Sequence, residues 1–145
     1  MKLIPRLGDV IRYDFLWKEE QLEGRVHGAK DRPCAVVIIT KPAPDGSREV
    51  VVVPVTHSPP ELGEDAIPLP AKVARHLGLD DAPSWIKTHQ VNTLSWPALG
   101  LPQGVVPTPD GEWIYGALPF KLAREVFDAV HKRSRAIGFG LVKRD

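Results

Sequence analysis

The chain contains one cysteine, Cys34, among 145 residues. A lone thiol closes no disulfide within the chain, and a zinc site built on two or more of its own cysteines is excluded. This cysteine usage suits a reducing cytoplasm. Nowhere are about 18 apolar residues consecutive, and the N-terminus lacks the roughly 7–15 residue apolar core of a signal peptide. A soluble cytoplasmic chain, neither exported nor membrane-bound, is expected. An excess of one charge is missing too, since 19 Lys and Arg stand against 18 Asp and Glu for a formal charge of +1. No field over the whole molecule draws in nucleic acid, so any such site has to be a local patch.

The standard signatures of covalent, metal and nucleotide chemistry are also lacking. His27, His57, His76, His89 and His131 are scattered, without HExxH or close-paired ligand spacing, and neither a metal site nor a cofactor is expected. No GxSxG occurs, and Cys34 opens an apolar run in which a thiol is inert, so covalent catalysis is not expected. Walker A and GxGxxG patterns are absent, and GFG at 138–140 is too short to count.

Punctuation, by contrast, is plentiful. Twelve glycines and 15 prolines make up nearly a fifth of the chain, against roughly 12% on average, and they lie throughout it. That leaves little room for long helices and favours short strands joined by tight turns, as in a small barrel. With 43% hydrophobic and 26% charged residues, the composition is that of a globular protein, and residues 1–145 are expected to form one domain with one core.

GDVIRYDFLW at 8–17 alternates, placing Ile11, Tyr13, Phe15 and Trp17 on one face of a half-buried strand. Residues 18–31 carry seven charges and no apolar period, which predicts a long exposed loop. CAVVII at 34–39 and VVVV at 50–53 are β-branched runs joined by the turn-former APDGS, a hairpin buried on both faces. After IPLP at 67–70, a short helix fits PAKVARHLGL, opened by Pro70 and ended by Gly78. SWIKTHQV at 84–91 predicts a strand with Trp85, Lys87, His89 and Val91 on one side. EWIYG at 112–116 predicts another. Helix spacing is clear over 119–134, where Leu122, Ala123, Val126, Phe127 and Val130 form a stripe. The basic residues at its end, among them Lys132 and Arg133, suit a solvated C-terminus. IGFGLV at 137–142 offers a last strand.

Polar residues collect where these strands meet loops. Arg32, mounted just before Pro33, offers a planar donor fork that fits a phosphate. Thr56 and His57 stand at the exit of the next strand, and Lys87 and His89 share a face. Where the three ends converge they bring an arginine, a lysine, a hydroxyl and two imidazoles, the groups that metal-free phosphodiester cleavage needs. Arg25, His27 and Lys30 in the charged loop, with Gln90 and Asn92, are RNA-binding candidates. Trp17 and Trp85 suit core packing better than base stacking.

GDVIRYDF, KDRPCAVVI at 30–38, VVVVPVTHS at 50–58, IPLP and SWIKTHQVNTLSW at 84–96 follow one another in an order that resembles the MazF/PemK family of toxins from bacterial toxin–antitoxin pairs. The resemblance covers roughly residues 8–97 and the late helix. It implies a mainly β fold, a small SH3-like β-barrel with one short helix and a longer C-terminal one. It also implies a homodimer that cleaves single-stranded RNA without metal and is silenced by a cognate antitoxin peptide. The family's catalytic arginine and threonine fall on Arg32 and Thr56, and its basic and acidic pair on Lys87 and His89, where the acid is replaced. Asn92 stands where the family often has an arginine. A type II toxin acting as an endoribonuclease that leaves a 2′,3′-cyclic phosphate is therefore expected. The alternatives are a catalytically degenerate barrel binding RNA or a protein partner, and a small-molecule or metal-dependent enzyme using the histidines.

Overall fold

In the computed structural model, which describes residues 3–135 and 139–144, three strands form the middle of the sheet. β1 (Asp9–Tyr13), β2 (Arg32–Ile39) and β3 (Arg48–Thr56) lie antiparallel in sequence order. The β2–β3 turn forms where APDGS predicts it. Ser47 donates from its backbone and its hydroxyl to Asp45 Oδ1, at 2.9 and 2.6 Å, and Gly46 takes a φ of +85°, which a β-carbon would strain.

Val10, Ala35 and Val53 pack into one apolar cluster, while Ile11, Cys34, Val36 and Val52 pack into another. Both faces of the central strands are thus covered, which is why their sequences run continuously apolar. The single core expected from the sequence is divided in two by the sheet. α2 (Ala71–His76) and α3 (Phe120–Arg133) close the first cluster. α3 does so through Leu122, Val126 and Val130, on the stripe predicted for it.

Both outer edges of this three-stranded centre are split between two partners. Along β3, β6 (Gln90–Trp96) pairs with Arg48–Val52 and β5 (Trp85–Lys87) with Val55–Thr56. Along β1, β8 (Ile114–Ala117) takes the first residues and β7 (Val105–Val106) the last. β4 (Ala66–Pro68) adds to the far side of β5, and β9 (Gly140–Lys143) pairs in parallel with β6. Of the predicted strand at 137–142, residues 137 and 138 lie outside the described residues. The described chain is mainly β, with nine strands and three helices, and the ends of the strand path, β4 and β7, are not paired with each other.

Two expectations are corrected. The segment 84–91 is not one strand: Thr88 N–H donates to Asp65 O at 3.0 Å and Gly140 N–H to His89 O at 2.9 Å, so the backbone passes from β5 to β6 at residues 88–89. The charged segment after Trp17 is not all loop, because it contains α1 (Lys18–Leu22). Glu20 reaches back to accept from Trp17 N–H at 3.1 Å, and Gly24 ends the turn at a φ of +88°. α1 buries no residue, so no apolar period announced it. Among the described residues no helix is long and apolar enough to cross a membrane.

Candidate functional site

Two adjoining hollows open at the end of the β2–β3 hairpin. One, of 400 Å³, is walled by Trp17, Glu19, Glu61, Glu64, Lys87 and Gln90; the other, of 370 Å³, by His57, Asp80, Ser84 and Tyr115. Lys30, Arg32 and Thr56 line both. Arg32 opens β2 and Thr56 closes its antiparallel neighbour, so strand pairing alone sets them at the same end of the hairpin.

The Arg32 guanidinium lies over the Trp17 ring, 5.2 Å from its centroid, and its Nε is buried without a partner among the described residues. Burial lowers its pKa from the ordinary value without threatening its charge. Held over an aromatic ring and without a hydrogen-bond partner among the described residues, it presents a donor fork to the ridge between the hollows. Thr56 is buried, and its Oγ1 accepts from Ser58 N–H at 3.2 Å. Its own O–H remains able to donate.

Lys87 is only 4% exposed. Its ammonium donates to Glu64 Oε1 at 2.5 Å and to Pro59 O at 3.4 Å. Glu64 enters through the β4–β5 ladder, in which Ala66 faces Lys87 and so brings the preceding loop over the lysine. Its other oxygen lies 3.6 Å from His89 Nε2. The hydrogen bond from Lys87, together with one from Glu61 N–H, holds the Glu64 carboxyl below its ordinary value of 4.5. His89 lines neither hollow and its Nδ1 is buried without a partner among the described residues, so it stands behind Glu64 rather than beside a ligand.

His57, Asp80 and Ser84 sit together with the outline of a hydrolytic triad but the wrong polarity. Ser84 Oγ donates to Ala82 O at 3.2 Å, so towards His57 Nδ1, 2.9 Å away, it acts as acceptor. Pro83 O at 3.0 Å from Nδ1 and Asp80 Oδ2 at 3.1 Å from Nε2 are acceptors as well. A ring with an N–H on each nitrogen would donate to these acceptors, while a single tautomer serves one side of the ring only. With its hydroxyl proton directed to Ala82 O, Ser84 is not placed as a nucleophile activated by the ring.

The remaining candidates are placed unevenly. Lys30 lines the ridge. Arg25 is paired with Glu20 at 2.8 Å, and His27 lies 3.2 Å from Asp14 in a different hollow beside Arg144. Gln90 borders the site, but its amide is engaged with α1: Oε1 accepts from Lys18 N–H at 2.8 Å and Nε2 donates to Glu19 at 2.9 Å. Asn92, expected on the RNA surface, is instead 0% exposed inside the sheet. Its Oδ1 accepts from Leu16 N–H and its Nδ2 donates to Leu16 O, so it pins the exit of β1. Glu64 went unrecognised because ELGED holds three carboxylates with no period to single one out.

Among the described residues no three His, Cys, Asp or Glu side chains come together as a metal site. No protein-family model, curated protein or solved structure matches the chain significantly.

Proposed function

We propose that the protein is a metal-independent endoribonuclease of the MazF/PemK kind, the toxin of a type II toxin–antitoxin pair, cutting single-stranded RNA to a 2′,3′-cyclic phosphate. The observation that carries this reading is the ridge: Arg32 and Thr56, on paired strands and shared by two hollows, each keep a donor free among the described residues. A phosphate on that ridge meets the guanidinium, which stabilises the charge of the phosphorane, and the Thr56 hydroxyl, which donates to a non-bridging oxygen. Lys87 adds positive charge from below. Of the two imidazoles, His57 borders a hollow and His89 does not, so His57 protonates the leaving 5′-oxygen. The same reading curls the sheet into an SH3-like barrel, and the register shifts at Val10/Ile11 in β1 and Val36/Ile38 in β2 support it, because a bulge bends its strand and increases its twist. The antitoxin peptide, the homodimer and the cytoplasmic site of action rest on the resemblance alone.

The test is incubation of the purified chain with a long unstructured RNA in EDTA, beside Arg32→Ala, with product ends mapped. Discrete cuts ending in a cyclic phosphate and weakened about 10²–10³-fold in the variant are expected. A substrate with 2′-deoxy at the cleaved nucleotide resists cutting; equal cleavage of it overturns the mechanism. The withdrawal of His89 and Asn92 from the site favours a second reading, a barrel that binds RNA without cutting it. In that case Arg32→Ala weakens binding and neither form cleaves.

A further inference from the structure

In-line attack by a 2′-hydroxyl requires the base and the acid on opposite sides of the phosphorus. The ridge has this arrangement, since His57 lies in one hollow and three carboxylates lie in the other. Two of the three are unsuited. Glu19 is engaged by Gln90, and Glu61 is exposed on the loop with no described side chain holding its carboxylate. Glu64 is fixed. Its Oε1 takes the Lys87 ammonium and Glu61 N–H, at 2.5 and 3.0 Å. Its Oε2, 3.6 Å from His89, is left with an open lone pair. The loop carrying it is anchored from α3: Arg133 Nη2 donates to Gly63 O at 3.3 Å, and its Nε lies 2.9 Å from Asp65 Oδ2.

Resting on the endoribonuclease reading, we propose that Glu64 is the catalytic base, the carboxylate that the sequence does not supply at position 89. The 2′-hydroxyl proton passes to Oε2 as the O2′–P bond forms. The P–O5′ bond breaks, and the 5′-oxygen takes a proton from the His57 imidazolium. Cyclic phosphate and 5′-hydroxyl ends result, and exchange with water restores both side chains. Lys87 and His89 are positioning residues, which hold the carboxylate and keep it ionised at neutral pH. The groups facing it are Lys87 on β5, His89 in the β5–β6 link, Glu61 and Asp65 on its own loop, and Glu19, Lys30 and Arg32 around the hollow.

The experiment compares the full chain with Glu64→Gln, Glu64→Asp and Arg32→Ala on one RNA in EDTA. In parallel it measures affinity for the same RNA carrying 2′-deoxy at the cleaved nucleotide, and thermal melting. Glu64→Gln is expected to lose cleavage about 100-fold or more and to lose the acid limb of the kcat/KM profile, while binding the uncleavable RNA at least as well. Glu64→Asp, which withdraws the carboxylate by about one bond length, keeps the acid limb at a rate at least about tenfold lower, and it remains informative if the glutamine variant fails to fold. Wild-type rates in either folded variant, with Arg32→Ala inactive, overturn the role of Glu64 and leave the ribonuclease standing. A wild-type chain that cuts no RNA overturns the enzyme reading and this inference together.

Discussion

Arg144 closes a fork on Asp14, its Nη2 lying 3.1 Å from both carboxylate oxygens across 130 residues of chain. The other arm of the guanidinium donates to Asp14 O at 2.9 Å and to Asn92 Oδ1 at 3.0 Å, and the group stacks over Tyr13, 5.1 Å from the ring centre. Both charged side chains are nearly enclosed, at 9% and 14% exposed. Nη2 also reaches Val26 O, which ties the segment after α1 to β1 and β6.

Arg144→Ala leaves the enclosed Asp14 with His27 alone beside it and is expected to lower stability by about 3 kcal/mol in urea unfolding. Arg144→Lys restores the charge but not the fork, so it recovers only part of the loss. Unchanged stability in the alanine variant would contradict the enclosure of this pair.

If the proposed ribonuclease reading holds, Gly140→Ala weakens cleavage from outside the site. A β-carbon at 140 meets Gln90 Cγ at 2.8 Å, and Gln90 is tied by its amide to Lys18 and Glu19. Displacing it releases α1 from the wall of the hollow. Hydrogen exchange should rise over 18–22, and a profile identical to wild type there would refute the coupling.

The Glu64 carboxyl, held below its ordinary 4.5 by Lys87, gives a signed pH dependence. A group whose folded pKa is depressed contributes stability above its unfolded value, and that contribution is lost as pH falls through the folded value. The Tm difference between wild type and Glu64→Gln is therefore expected to be flat from pH 7 to about 5 and to shrink below 4.5. A difference that persists unchanged to pH 3 would show that the ion pair is not its source.

Cys34 is 0% exposed, and burial drives its thiol well above the usual range. Thiol reagents at pH 8 are expected to leave the native chain unmodified and to label it at once in denaturant. Rapid labelling of the native chain would mean that the second apolar cluster opens readily.

The central strands and the Arg32–Thr56 ridge were legible in the sequence because each rests on local pattern. β-branched runs mark β2 and β3, and a strand's first and last residues fix where its side chains stand. α3 was legible from its apolar stripe. The residues that escaped notice act over distance. Glu64 meets Lys87 across 23 positions, and Leu16 meets Asn92 across 76, with no periodicity linking them. α1 escaped because a helix without a buried face leaves no stripe. Alternation puts Lys87 and His89 on one side, and both meet Glu64, but it does not show that His89 lines neither hollow, because the chain changes strand at residues 88–89.

The wall of the larger hollow has a place in time as well as in space. Leu16, α1 and the segment after it are made early, yet the groups that hold them are Asn92, Gln90 and Arg144 in turn. During synthesis, Leu16, Lys18 and Glu19 wait for Gln90 and Asn92 on β6, and Val26 waits for Arg144 beyond β9. Long-range pairings of this kind are the slow ones. The ridge is laid down with the first hairpin and its enclosure comes last, so a nascent chain presents Arg32 and Thr56 before it has a pocket around them.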